Sequence, residues 1–412
     1  MSVACRRLVR PMSVIGFITL SRISLREYRC FPVLGLICAV SVALAGCDLV
    51  SQGGAGRYEH WQTDTTVVED SSVEGLSNGD GSGHNPASLV DEWFYTGDGF
   101  EGTFIQPASG HCNWSSNRWA QEMLNLKHIG FDTIIIQWSE HDDEDFCGPD
   151  GDGMCLVERI VAAADEAGGI AVYVGLSLRH AWWNTDNITM RFMGEELLRN
   201  KRVAGWIYPR VKQYKSFYGW YIPHEVCDLF FSKDQQLYVL TFYKELTGYL
   251  NRLDPLKTVI ASGYTNHDLS SIRQFTKWYK MFMEDSGVDV LIFQDGAGLS
   301  GRTEWNNILP FADALASLRK KEFVGDVWLL AEIFTQTAGP PIDNREYDSE
   351  PADFERVRDQ LEALGRLGTK LIVFSYFEDM RPSAGERQTE LYEAYRKYLR
   401  EKLLEVSGSS AP

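Results

Sequence analysis

Two glutamates interrupt otherwise apolar stretches of this chain: Glu225 ends FYGWYIPHE at 217–225, and Glu332 ends VWLLAE at 327–332. A carboxyl group at the end of an apolar run sits where burial and neighbours can shift its pKa. Two such groups with different surroundings can divide the work of acid and base. One protonates a leaving oxygen while the other attacks the carbon or activates a water, which is the chemistry of glycosidic-bond hydrolysis. Either glutamate could instead serve only as a structural ion-pair partner. Asp295 is a rival carboxylate, and its Gln294-Asp295-Gly296 setting also suits a residue that orients a turn.

Other polar and aromatic residues close apolar runs in the same way. Gln106, Gln137 and Gln294 are amides, able both to donate to and to accept from hydroxyl groups. Trp138, Trp182, Tyr264 and Tyr376 fall at or just beyond the ends of such runs, and indole faces stack on sugar C–H surfaces. Trp138 and the Trp182-Trp183 pair are expected to be exposed, although core packing is the ordinary fate of a tryptophan. His224 directly precedes Glu225 and could hydrogen-bond a substrate hydroxyl.

These residues need a frame that brings run ends together. The runs are 102–106, 131–138, 170–176, 217–223, 258–262, 288–294, 327–332 and 371–376, continuously apolar and rich in β-branched residues. That pattern suits strands buried on both faces of a parallel sheet. Helical periodicity separates them. Val239, Phe242, Leu246, Leu250 and Leu253 recur at three and four, after a capping box of Ser232 and Gln235. Phe354, Val357, Leu361 and Leu364 repeat the pattern, with Ser349 as cap and Pro351 in the first turn. Leu391, Tyr395, Tyr398 and Lys402 do so in a last helix. Eight strand–helix units over 91–405 predict an α/β fold, a single (β/α)8 TIM barrel with its site at the strand C-terminal ends. A doubly wound sheet is the alternative, but no glycine-rich phosphate turn follows the first run.

Glutamates at the ends of strands four and seven resemble the clan A glycoside hydrolases. That resemblance implies a retaining mechanism, with Glu225 as acid/base and Glu332 as nucleophile. The clan usually has Asn before its acid/base, where this chain has His224. The stretches GTFIQ, FDTIIIQW, GWYIPHE, FQDGAG and AEIF also resemble a bacterial family of exported or lipid-anchored glycosidase-like barrels. A non-catalytic glycan-binding or scaffold protein on the same barrel is the competing reading.

No GxSxG elbow, P-loop or HExxH occurs after residue 46, so no cofactor is expected. The acidic stretch 141–153 fails the calcium-loop pattern, with Gly148 and Arg159 where acidic ligands would be needed; no metal is expected, and a solvated loop is the default.

Residues 31–45 form an apolar run of 15, preceded by Arg22, Arg26 and Arg29 and followed by Gly46-Cys47. The charge layout is that of a secretory signal. Leu44-Ala45-Gly46-Cys47 resembles the lipobox of bacterial lipoproteins, which implies a signal peptide over 1–46, lipidation of Cys47, and anchorage at the cell envelope, facing the periplasm or the cell surface. Residues 47–90, rich in Gly, Ser and Asp, read as a disordered tether, and 406–412 as a disordered tail. Six Arg and one Glu lie in the prepiece, so the remainder carries −22 against −17 for the whole 412-residue chain. Nucleic acid is excluded as a partner, since phosphates need a basic face. The partners expected are a carbohydrate and, through the lipid, a membrane. In an oxidising compartment Cys112, Cys147, Cys155 and Cys227 allow two disulfides in three connectivities. Proximity within a Gly/Asp loop favours Cys147 with Cys155.

Overall fold

The computed structural model describes residues 99–408 apart from 143, 147, 149–152, 230, 300–304, 322–324 and 341. The signal peptide, Cys47 and the tether therefore lie outside the described residues.

Eight parallel strands close into a barrel. They are β1 (Gly102–Ile105), β2 (Thr133–Ile136), β3 (Ala171–Gly175), β4 (Phe217–Cys227), β5 (Thr258–Tyr264), β6 (Val290–Gln294), β7 (Asp326–Glu332) and β8 (Leu371–Phe374). Each pairs with its sequence neighbours, and β1 meets β8 through Gly102 opposite Ile372. Eight helices alternate with them: α1 (Ser116–His128), α2 (Leu156–Ala167), α3 (Met190–Val211), α4 (Lys233–Leu253), α5 (Ile272–Ser286), α6 (Leu309–Lys321), α7 (Phe354–Gly365) and α8 (Glu386–Gly408). The predicted α/β barrel is the observed fold, and all eight apolar runs coincide with its strands.

Alternation along the strands sorts the side chains into two cores. Inside the barrel lie Phe104, Ile135, Tyr173, Tyr221, Ile260, Ile292, Trp328, Leu330, Ile372 and Phe374. Their outward-facing neighbours, among them Ile105, Ile136, Ile222, Ala261, Phe293 and Ala331, pack against the helices. Close strand approach demands glycine at Gly175, where a Cβ would lie 2.2 Å from the Ile136 carbonyl oxygen.

The Ser232–Gln235 capping box forms as expected, each side chain bonding the other residue's backbone N–H (2.9 and 3.3 Å). A box of this kind stabilises a helix start by about 1 kcal/mol. The start of α7 differs from expectation. Asp353 is its N-cap, while Ser349 and Pro351 belong to the short strand Asp348–Pro351. That strand pairs antiparallel with Phe334–Ala338 and forms a hairpin between β7 and α7. The last helix runs to Gly408, past the expected boundary at 405.

Candidate active site

The two glutamates both turn inward at the C-terminal end of the barrel. Tyr221 faces the lumen, so alternation brings Glu225 there as well. Trp328 and Leu330 do the same for Glu332. Alternation also directs Gln294 inward after Ile292, Gln137 after Ile135, Gln106 after Phe104, and Tyr264 after Ile260 and Ser262.

Glu225 is 2% exposed, and neither carboxyl oxygen reaches hydrogen-bond geometry with a described residue. Burial pushes its pKa up to about 8, opposed by the nearby Gln294 and Ser262 side chains. The backbone on either side is clamped from the helices. The Tyr243 hydroxyl of α4 donates to the His224 carbonyl, and the Tyr279 hydroxyl of α5 donates to those of Val226 (2.9 Å) and Tyr264 (2.8 Å). Ser262 is itself fixed against the Tyr221 hydroxyl (2.7 Å).

Glu332, 1% exposed, is held differently. Its Oε2 accepts the Gly298 N–H (2.7 Å). Its backbone N–H donates to Asp295 Oδ1 (3.1 Å), and its carbonyl accepts from Gln360 Nε2 (3.1 Å). Asp295 also accepts from Ala297 N (3.0 Å) and, through Oδ2, from Gln360 Nε2 (2.6 Å). Burial raises its pKa, while those bonds and Arg356 oppose the rise. Among the described residues, the hydrogen bonds of Asp295 all go to the protein's own backbone and to Gln360. These bonds tie β6, β7 and α7 together, which is the turn-orienting setting that the sequence also allowed for Asp295.

Three further expectations fail: alternation aims His224 and Trp138 outward, and Trp182 lies off the strands in the short helical turn His180–Trp183. His224 lies behind β4, with Nε2 donating to Glu196 Oε2 on α3 (2.8 Å) and its ring against Trp182 and Phe242. Trp138 and Trp182 are 6% and 3% exposed, in the shell beneath the helices. Trp138 stacks on His141 (4.5 Å), and Trp183 is likewise buried. A fourth failure has a different cause. Tyr376 belongs to a single helical turn, Tyr376–Met380, whose geometry breaks the strand alternation. Its hydroxyl donates to Glu122 Oε2 of α1 (2.8 Å).

No disulfide links the described cysteines. Cys155 Sγ instead accepts the Glu158 N–H at the start of α2, and the Cys227 thiol faces Asp228; Cys147 lies outside the described residues. Among the described residues no group of three or more His, Cys, Asp or Glu is placed to hold a metal ion. A cavity of about 740 Å³ opens at the N-terminal end of the barrel, between Asp132, Lys215, Tyr218 and Lys370, at the opposite pole from the glutamates.

Several groups at the C-terminal pole escaped the sequence reading. Glu378 and Asp379 follow β8, and burial raises their pKa values to about 8 and about 7. Reading two residues beyond Tyr376-Phe377 would have found them. Tyr347, carried by the hairpin after β7, packs against the interior core and lies within electrostatic range of Glu332 and Asp379. Arg356, on α7, is 24 residues from Glu332, and no local pattern marked it.

No curated protein matches this sequence. Among solved structures, the chain resembles a protein named "putative alpha-L-fucosidase" from Bacteroides thetaiotaomicron at 23% identity and TM-score 0.60, over 73% of this chain and 93% of that one. It also aligns with an endo-1,4-β-mannanase from Rhizomucor miehei (12% identity, TM-score 0.46, 74% and 95% covered) and with the xylanase TsXylA from Thermoanaerobacterium saccharolyticum (13%, 0.42, 69% and 87%). At these identities the likeness is one of fold. Residues 100–386, spanning the barrel and both glutamates, match a domain of unknown function, DUF4434, and the chain belongs to that family.

Proposed function

We propose that this protein is a retaining glycoside hydrolase acting on a poly- or oligosaccharide, with Glu225 as acid/base and Glu332 as nucleophile. The observation that carries the proposal is the contrast between two inward carboxyl groups at one barrel mouth. Burial keeps Glu225 protonated at neutral pH, and backbone donation orients Glu332. The family's function is unassigned, and the barrel is shared with a protein named for fucoside hydrolysis.

In the first step Glu332 attacks the anomeric carbon while Glu225 gives its proton to the glycosidic oxygen. The C–O bond breaks, the aglycone leaves as an alcohol, and a glycosyl ester forms on Glu332. In the second step Glu225, now a carboxylate, takes a proton from water. The water oxygen attacks the same carbon, the ester breaks, and the sugar leaves with its configuration retained. Gln106 Nε2, Gln137 Oε1 and Gln294 Nε2 have no hydrogen-bond partner among the described residues, which suits them to sugar hydroxyls. Tyr264 completes the proposed binding surface. No step calls on a cofactor or metal.

The lipobox-like sequence supports a location at a bacterial cell envelope, with anchorage through lipid on Cys47 and the barrel facing the periplasm or the cell surface. Labelled palmitate should enter the wild type and not Cys47→Ser; equal labelling of both removes the anchor.

The catalytic test is turnover of the full chain, in detergent, on a panel of polysaccharides and aryl glycosides, beside Glu225→Gln and Glu332→Gln. Sugar release with a retained anomer, lost in both variants, supports the proposal. Binding without cleavage, unchanged in both variants, replaces it with a non-catalytic glycan-binding role.

A further inference from the structure

The two glutamates differ in one respect that the barrel wall alone does not supply. Among the described groups that act on Glu225 there is no cation, only burial and the Gln294 and Ser262 side chains. Glu332 has one. Arg356, in the first turn of α7, donates through Nη2 to the Phe334 carbonyl and to Thr335 Oγ1 (3.4 Å), just past Glu332 in the chain. Its Nη1 is buried without a hydrogen-bond partner among the described residues. The acids whose fields meet at this guanidinium come from four elements: Asp295 after β6, Glu332 on β7, Asp379 after β8, and Asp353 at the N-cap of α7. The Tyr347 hydroxyl of the hairpin lies within the field of two of them, Glu332 and Asp379.

The other acids have their own partners or water. Asp295 accepts three N–H donors, Asp379 accepts the Ser375 N–H (3.2 Å), and Asp353 is exposed. Without a cation, neighbouring buried carboxylates relieve their repulsion by taking up a proton, and a protonated carboxyl is no nucleophile. One turn along α7, Gln360 grips Asp295 and the Glu332 carbonyl. The same helix face thus presents both a hydrogen-bond clamp and a charge.

We infer that Arg356 is the positioning residue that holds Glu332 in its anionic, attacking form, acting from α7 outside the barrel wall. The inference rests on the nucleophilic role proposed for Glu332, and its test is arranged to separate the two.

The full chain, labelled with ¹³C at the glutamate carboxyl carbons, is titrated by NMR as wild type, Arg356→Gln and Arg356→Lys, with Glu332→Gln to assign the Glu332 signal. In Arg356→Gln the Glu332 midpoint should rise by about one pH unit or more, a tenfold fall in the carboxylate-to-acid ratio at any fixed pH. Arg356→Lys should keep the wild-type midpoint, because it keeps the charge. The acidic limb of kcat/KM on the best aryl glycoside should move with the NMR midpoint, and kcat should fall more than KM changes. An unmoved Glu332 midpoint in a folded Arg356→Gln overturns the inference. If that variant does not fold, Arg356→Lys decides: a displaced midpoint there means that hydrogen bonding rather than charge is what matters, which also overturns it. If the wild type cleaves no glycoside but the midpoint moves as described, the glycosidase reading fails and the countercharge stands.

Discussion

Replacing Glu225 with Gln removes a proton that burial has made available. Its pKa moves from 4.5 to about 8. At pH 7 about nine carboxyls in ten then carry the proton, against about three in a thousand at the unshifted value, a gain of roughly 300-fold in acid form. A positioned general acid is worth about 10²–10⁴-fold, and its benefit shrinks as the leaving group improves. Glu225→Gln should therefore lose most on a natural alkyl glycoside and much less on a dinitrophenyl glycoside, whose phenolate leaves unaided. In the wild type, activity should fall as pH rises through about 8, and that alkaline limb should be absent from the variant. Stability carries the opposite signature. The folded pKa lies above the unfolded one, so the wild type loses stability relative to Glu225→Gln between pH 4.5 and about 8, and no more above that. The full shift corresponds to about 5 kcal/mol as an upper figure. Steady-state kinetics on a leaving-group series and chemical denaturation at pH 5 and 9 measure both. An equal loss across leaving groups, with the alkaline limb retained, would refute the assignment of Glu225 as the acid.

Glu332→Gly should lower turnover roughly 10⁴-fold or more, and sodium azide should restore cleavage of an activated glycoside. The product would be a glycosyl azide of inverted configuration, and its absence from the NMR spectrum argues against Glu332 as nucleophile. His224→Ala strips the buried Glu196 carboxylate of one partner and should destabilise the fold by about 3 kcal/mol. Thermal melts check this, and a variant as stable as wild type contradicts the role of His224 as a partner of Glu196. Tyr376→Phe should cost about 1 kcal/mol through the lost bond to Glu122 and leave KM for any glycan unchanged; a raised KM would put Tyr376 back at the mouth.

The barrel was legible in the sequence because a strand buried on both faces must be continuously apolar, and eight such runs separated by helical periods leave few other folds. The two glutamates were legible for the same reason, since a carboxylate at the end of such a run has to be explained. Which way a side chain points is another matter. Between Glu225 and His224 the strand pleat decides, sending one to the lumen and the other to Glu196. Sequence adjacency suggested a shared task, and the pleat assigned opposite faces. The same geometry buries Trp138 in the outer shell, the short turn His180–Trp183 buries Trp182 there, and a helical turn after β8 carries Tyr376 away from the mouth and brings in Glu378 and Asp379. What only the tertiary structure decided is the setting of each acid: Glu225 desolvated with no cation acting on it among the described residues, Glu332 beside Asp295 and Gln360 and within the field of Arg356. Residue types and strand ends are properties of short segments. The field at a carboxyl group is a sum over elements distant in the chain, and it exists only once they are folded together.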